Sequence, residues 1–238
     1  MSAKSDDIES KLTAVFDEPW NITDGIVVPK TEDIVEKNGG RRLEATYLYA
    51  DMADSTLLVK RFKDVFSARV FRMYVKSAVE CIRHKGGHIR SFDGDRVMGI
   101  FVGSRRRNNA VEAALAINWA VDQVINPKLK ALLEPQDLSW SVSHRVGIDD
   151  GETLIVRGGA RDNSDLISIG RAPNIAAKLS GIRNESGRIT VTSAVYECLE
   201  KKNQFNGGDG EAMWTESKSR TVGPYLIYTR SCGWYRRP

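Results

Sequence analysis

What this 238-residue chain has little of narrows its chemistry. It holds three cysteines, Cys81, Cys198 and Cys232, widely spaced and without a Cys-x-x-Cys, and three scattered histidines, His84, His88 and His144. Neither a disulfide framework nor a zinc site is indicated, so metal chemistry here would be oxygen-ligand chemistry. No apolar run reaches membrane-spanning length and residues 1–7 do not form a signal peptide, which predicts a soluble, cytoplasmic protein with no membrane partner. Gly-x-x-x-x-Gly-Lys-Ser/Thr and a strand-linked Gly-x-Gly-x-x-Gly are both missing, so any nucleotide is held some other way. The charge excess is only +4 with the signs interleaved. No stable nucleic-acid partner is expected, and the three arginines at 105–107 read as a solvated helix start.

What is present is an ordinary globular composition, 41% hydrophobic and 28% charged, sufficient for one large domain with appendages or for two small ones. Residues 1–40 read as an N-terminal arm. Ile8, Leu12, Val15 and Phe16 predict a short amphipathic helix, while Pro19, Pro29 and Asn38-Gly39-Gly40 mark irregular chain. Trp20, Ile22, Ile26, Val27 and Val28 are too apolar for a free tail, so the arm is expected to pack on the body or on a second subunit.

The body spans 41–232, and the basic aromatic tail 233–238 has no role that the sequence supplies. A buried strand over 43–49 delivers Asp51 just beyond its end. One helix, capped by Ser55 or Thr56, carries Phe62, Phe66, Val70, Met73, Ser77 and Cys81 at helical spacing to Gly86-Gly87. Asp93-Gly94 between two β-rich runs predicts a tight hairpin with Asp95 at its tip. A second helix over 108–126 closes at Pro127, and 127–139 form a surface connection. Strands are expected over 139–148, 153–156, 166–169, 189–191, 213–215 and 225–229, helices over 172–182 and from Thr192 to about 201, and a loop over 207–210. Hairpins among interleaved helices predict an α+β sandwich with a mixed, largely antiparallel sheet, not a doubly wound parallel fold.

Asp51 and Asp95 together could hold a hard divalent cation, although on its own stretch Asp95 reads equally well as a solvated acidic turn. Four blocks in order add to this: Tyr49-Ala50-Asp51-Met52-Ala53-Asp54-Ser55-Thr56; Ser91-Phe92-Asp93-Gly94-Asp95 with Val97-Met98-Gly99-Ile100-Phe101; Val146-Gly147-Ile148-Asp149-Asp150-Gly151-Glu152; and Gly170 followed by Asn174-Ile175-Ala176-Ala177-Lys178-Leu179. Over about residues 41–230 the chain resembles the class III nucleotidyl cyclase catalytic domain.

The resemblance implies that Asp51 and Asp95 bind two Mg2+ or Mn2+ ions, with the Met52 carbonyl as a further ligand. One ion would activate the ribose 3′-hydroxyl and the other would neutralise the triphosphate and the leaving pyrophosphate. Asn174 matches the ribose-orienting position, and Lys178 stands where the family usually has an arginine that stabilises the α-phosphate. It also implies a head-to-tail homodimer with composite active sites.

Ser91 and Ile167 occupy the family's base-reading positions without its adenine-reading or guanine-reading side chains. The Asp-Gly-Asp-Arg-Val-Met block, with Ser91 and Lys178, is similar to the pyrimidine cyclases of bacterial anti-phage systems. That implies UTP or CTP as substrate and a separate cyclic-nucleotide-activated effector as partner. Tyr47, Tyr49, Arg96 and Arg171 are available to line a pyrimidine pocket, and Arg220 or Lys218 to bind triphosphate. Arg96 reads equally as an internal partner of Asp93 or Asp95. An adenylate cyclase with a rearranged pocket and a degenerate, regulatory cyclase-like dimer stay open.

Overall fold

Two long strands form the spine of the structure, a computed structural model that describes residues 3–35, 37–160, 163–183, 187–208, 210–216 and 218–238. β2 (Gly39–Ala53) and β5 (Ser143–Ala160) run antiparallel, paired from Gly40↔Val156 to Ala53↔Ser143. In chain order the remaining elements are α1 (Ala3–Asp17), β1 (Asn21–Asp24), α2 (Ser55–Arg61), α3 (Asp64–His84), β3 (His88–Asp93), β4 (Arg96–Phe101), α4 (Arg106–Trp119) and α5 (Asn126–Leu133). They continue with β6 (Asn163–Ile169), α6 (Arg171–Ser180), β7 (Ile189–Thr192), α7 (Ser193–Tyr196), α8 (Lys201–Gln204), β8 (Lys218–Val222) and β9 (Tyr225–Cys232). The sheet order is β3-β4-β2-β5-β7-β9-β8, with β1 beside β2 and β6 beside β5. Only β1–β2 and β5–β7 pair in parallel among the described strands. This is the expected mixed, largely antiparallel sheet flanked by helices.

Alternation along β2 divides the core. Leu48, Ala50 and Met52 pack with residues of α3 and α4 such as Val70, Tyr74, Ala113 and Ile117, whereas Leu43, Ala45 and Tyr47 pack with Ala172 and Ala176 of α6. Gly147 lets α6 approach: a Cβ there would stand 2.2 Å from the Ala176 carbonyl oxygen and 2.4 Å from the Ser180 nitrogen. No side chain fits between that strand and that helix.

Several element boundaries differ from expectation, each for a physical reason. β2 begins at Gly39 and continues through Asp51 to Ala53, because β5 supplies a partner along its whole length; Gly39-Gly40 is strand, not irregular chain. The expected strands over 139–148 and 153–156 are one strand that starts only at Ser143, for the same reason, and 139–142 lie outside it. The helix after Asp51 is two, broken at Phe62 and Lys63, and its first cap position is Asp54 in the left-handed conformation, not Ser55 or Thr56.

Pro127 starts a helix instead of ending one. It lies in the first turn of α5, where a missing N–H costs nothing, and a π-helical turn at Ala120–Ile125 carries α4 into it. Residues 127–139 are therefore largely helical. The helix from Thr192 is two short ones, and 213–215 contributes a single bridge, Trp214↔Cys232, while β8 pairs with β9 in its place.

The solvated-arginine expectation is corrected. Arg106 and Arg107 both donate to buried Asp150, which also accepts from Thr46 Oγ1 at 2.5 Å. On the arm, Ile8, Leu12, Val15, Phe16, Trp20, Ile22, Ile26 and Val27 are exposed and Val28 is buried, so α1 does not pack on the body. Its C-terminal end is tied by the Asn38 carboxamide, which donates to the Val15 and Glu18 carbonyls. The tail has a structural role: Asn118 donates to the Trp234 carbonyl at 2.7 Å, the Arg236 N–H donates to the Leu115 carbonyl, and Trp234 packs on the core. No helix among the described residues is long and apolar enough to cross a membrane.

Candidate active site

Asp51 projects from the β2 end that faces Arg145 across the ladder. Its carboxylate is 8% exposed and meets two guanidinium groups, Arg183 at 3.2 Å from Oδ2 and Arg96 at 3.6 Å from Oδ1. Arg96 thus has Asp51 as its partner, not Asp93 or Asp95. Burial pushes the Asp51 carboxyl above its ordinary range, Arg96 and Arg183 pull it down, and Asp95 pushes it up.

Asp95 sits in the two-residue turn between β3 and β4. Gly94 occupies the first turn position with φ +60°, the conformation that lets a glycine open a tight hairpin turn. The dipeptide expected to form the turn is therefore shifted by one: Asp93 ends β3, and Gly94-Asp95 make the turn.

The Asp95 Oδ2 atom is buried without a hydrogen-bond partner among the described residues. An acceptor-only oxygen left in that state beside a second buried carboxylate fits a hard cation, because a cation satisfies both. Met52 follows Asp51 in the strand and is buried, its side chain turned to the α3–α4 face. Among the described residues no group of three or more His, Cys, Asp or Glu could hold a metal. A cation held by two carboxylates would draw further ligands from water and substrate phosphates, as Mg2+ characteristically does. Beneath the pair lies Tyr74 of α3, fully buried with an unpartnered hydroxyl, whose pKa is raised by burial and then by Asp51 and Asp95.

Asn174 and Lys178 lie one turn apart on α6, on one side of the helix. The Asn174 carboxamide donates to the Gly170 carbonyl at 2.9 Å. Lys178 extends to the β8–β9 turn, where its Nζ would stand 2.8 Å from a Cβ on Gly223. Gly170 abuts Glu152 and Thr153 of β5. Arg145, opposite Asp51, lies seven residues back along that strand, about 20 Å away. Asn174, at the start of α6, therefore lies well along β5 from Asp51. Lys178 precedes Leu179 and Ser180, whose backbone abuts Gly147, two residues from Arg145, and its side chain extends to the β8–β9 turn instead.

The other expected residues divide between these regions. Ser91, Met98 and Tyr49 form one row across β3, β4 and β2, placing Ser91 and Tyr49 about 10 Å apart at their backbones. A bulge between Ile89 and Ser91 turns Arg90 into an ion pair with Asp165 at 2.5 Å, which ties the strand of Ser91 to that of Ile167. Ile167 itself is 51% exposed, on the face of β6 opposite buried Leu166. Tyr49 is half-buried with its phenol pKa raised, chiefly by burial. Tyr47 is fully buried in the α6-side core. Arg171 is engaged by buried Asp149 at 3.3 Å, and Asp149 also accepts from Thr192 Oγ1. Arg220 donates to Thr229 Oγ1 across the β8–β9 hairpin, and Lys218 begins β8.

Sequence reasoning missed Arg183, Arg145 and Tyr74. Arg145 donates from its two terminal nitrogens to the Gly187 and Arg183 carbonyls, so it anchors the chain that follows α6. Neither Arg183 nor Arg145 lies in a motif, and Tyr74 was indistinguishable from a core position of an amphipathic helix.

The fold is shared with known proteins. No family model matches the chain. A protein named uridylate cyclase from Rhodovulum sp. (strain MB263) is 35% identical over 235 residues, 98% of this chain and 98% of that one. Another of the same name, from Burkholderia cepacia, is 35% identical over 234 residues, 98% of this chain and 99% of that one. Among solved structures, the adenylyl cyclase CyaB from P. aeruginosa superposes with a TM-score of 0.65 at 19% identity, over 83% of this chain and 97% of that one.

Proposed function

We propose, from the premise that this chain belongs to the class III nucleotidyl cyclases and is an enzyme of that kind, that it converts UTP to 3′,5′-cyclic UMP and pyrophosphate. The observation that carries the choice of UTP is the full-length similarity to proteins named uridylate cyclase. Ser91 and Ile167 agree with it, because neither is the purine-reading residue that the resemblance leads one to expect, and Ile167 has no polar group with which to bond a base edge. In this reading Tyr49, half-buried in the same row as Ser91, and Arg96, paired with Asp51, line the base and ribose end of the site.

Asp51 and Asp95 hold two divalent cations, Mn2+ or Mg2+, with the Met52 carbonyl as a further ligand. The bound ions supply activation of the ribose 3′-hydroxyl and neutralisation of the triphosphate. Asn174 orients the ribose through its carboxamide, and Lys178 places a positive charge against the α-phosphate, as a point charge without the fork of an arginine. The working site is composite, as the class III resemblance implies: Asp51 and Asp95 from one copy face Asn174 and Lys178 from the other in a head-to-tail homodimer, in keeping with a Lys178 side chain that extends to the β8–β9 turn. The product serves as a second messenger in anti-phage defence, read by a separate effector.

The test is product analysis by mass spectrometry after incubation with Mn2+ and each of UTP, CTP, ATP and GTP, with Asp51→Ala as control. Cyclic UMP made by the native chain and missing from the control is the expected result. Cyclic CMP or cyclic AMP as the main product would overturn the base assignment, and no product from any nucleotide would favour a regulatory dimer.

A further inference from the structure

Each oxygen of the Asp51 carboxylate faces a guanidinium, and the two are held differently. Arg96 rises from the start of β4, with its Nε buried. Arg183 lies on the connection after α6, its side chain 46% exposed, with its carbonyl accepting a 3.0 Å hydrogen bond from Arg145. The backbone of Arg183 is anchored while its side chain has room to move. Arg145 and Arg188 stand nearby, close enough that they and Arg183 repel, and the Arg145 pKa is lowered by burial and by both neighbours. Arg188 is satisfied by Asp122 at 2.5 Å and Arg145 by two carbonyls. Arg183 has as its anionic partner the carboxylate that a cation would claim.

We propose that Arg183 is the exchangeable counter-charge of this site: its guanidinium holds the Asp51 carboxylate in the metal-free chain, gives way to the incoming cation, and turns to the triphosphate of the bound nucleotide. The exchange is electrostatically enforced, since a carboxylate oxygen shared by a divalent cation and a guanidinium 3.2 Å away would place like charges in contact. The freed group suits a phosphate, because a planar fork pairs two phosphate oxygens at once. In this way Asp51 keeps a partner at every stage, and the triphosphate gains a cation only after the metal has bound. The inference rests on the reading of Asp51 and Asp95 as cation ligands.

Mn2+ binding without nucleotide, followed by the electron paramagnetic resonance of the free ion, tests it in four chains: native, Asp51→Ala, Arg183→Gln and Arg188→Gln. Arg183→Gln should bind Mn2+ about threefold to fivefold more tightly than the native chain, the range expected for loss of a partly exposed competing pair. The same variant should raise the KM for UTP about tenfold with a smaller change in kcat. Opposite signs for metal and nucleotide distinguish exchange from a merely structural contact. Arg188→Gln removes a charge from the same cluster but no contact to Asp51, and should leave Mn2+ affinity within about twofold. Equal or weaker Mn2+ binding by Arg183→Gln, or equal tightening by Arg188→Gln, would overturn the proposal. If Asp51→Ala binds Mn2+ like the native chain, the cation-site reading itself fails.

Discussion

Asp51 and Asn174 belong to opposite ends of one strand pair: Asp51 faces Arg145, whereas Asn174 is bonded to Gly170, which abuts Glu152 and Thr153 seven residues further along β5. In the proposed head-to-tail homodimer, a second copy would supply Asn174 and Lys178 to the Asp51 end.

The orphaned oxygen of Asp95 gives a prediction with two signs. Asp95→Asn should weaken Mn2+ binding at least about tenfold, since it removes a charged ligand from a site that has two carboxylates among the described residues. Metal-free stability should be unchanged or slightly higher, because the native carboxylate raises the Asp51 pKa by repulsion and leaves a buried acceptor unpaired. Thermal unfolding with and without Mn2+ reads both effects.

Asp150 is held by Arg106, Arg107 and Thr46 in a buried cluster. Asp150→Ala strands two guanidinium groups and should cost about 3 kcal/mol or more of unfolding free energy, measured by urea denaturation. A loss below about 1 kcal/mol would return these arginines to the solvated role suggested by their sequence.

Gly147→Ala should destabilise by about 3 kcal/mol or more, because the added methyl meets backbone atoms of α6 that cannot rotate away. The displaced helix carries Asn174 and Lys178, so product formation should fall even at temperatures where the variant remains folded.

His144 is fully buried, its Nε2 bonded to Asn118 Oδ1 at 2.7 Å, and burial holds its pKa down to about 3, with Arg188 and Arg145 adding to the shift. The folded state therefore refuses a proton that the unfolded state accepts below its ordinary value near 6.5. The stability contributed by neutral His144 is complete above that value and lost as pH falls towards 3, by about 2 kcal/mol at pH 5. Urea midpoints at pH 7.5 and 5 should differ less in His144→Gln than in the native chain.

The sequence made legible what local chemistry dictates. Asp93-Gly94 marked the hairpin, and the β-rich run over 43–49, continuously non-polar near its end, marked the central strand that carries Asp51. It could not show how far β2 and β5 extend, because their length comes from each other. Pro127 misled because a proline is equally at home in the first turn of a new helix. The arginines at 106 and 107 misled because their partner, Asp150, is more than forty residues away. Arg183 lay in no pattern at all, since its meaning comes from a contact 132 residues distant in sequence. Local residue patterns reveal turns and faces; they do not reveal which distant charge fills a buried pair.

The composite site is tested most directly by mixing two inactive chains, Asp51→Ala and Lys178→Ala, after dissociation and reassociation with UTP and Mn2+. Random pairing makes half of the dimers mixed, each with one intact site, so activity should return to about a quarter of the native level. Activity that stays at the level of either variant alone, with mixed dimers present, would contradict an active site shared between two copies.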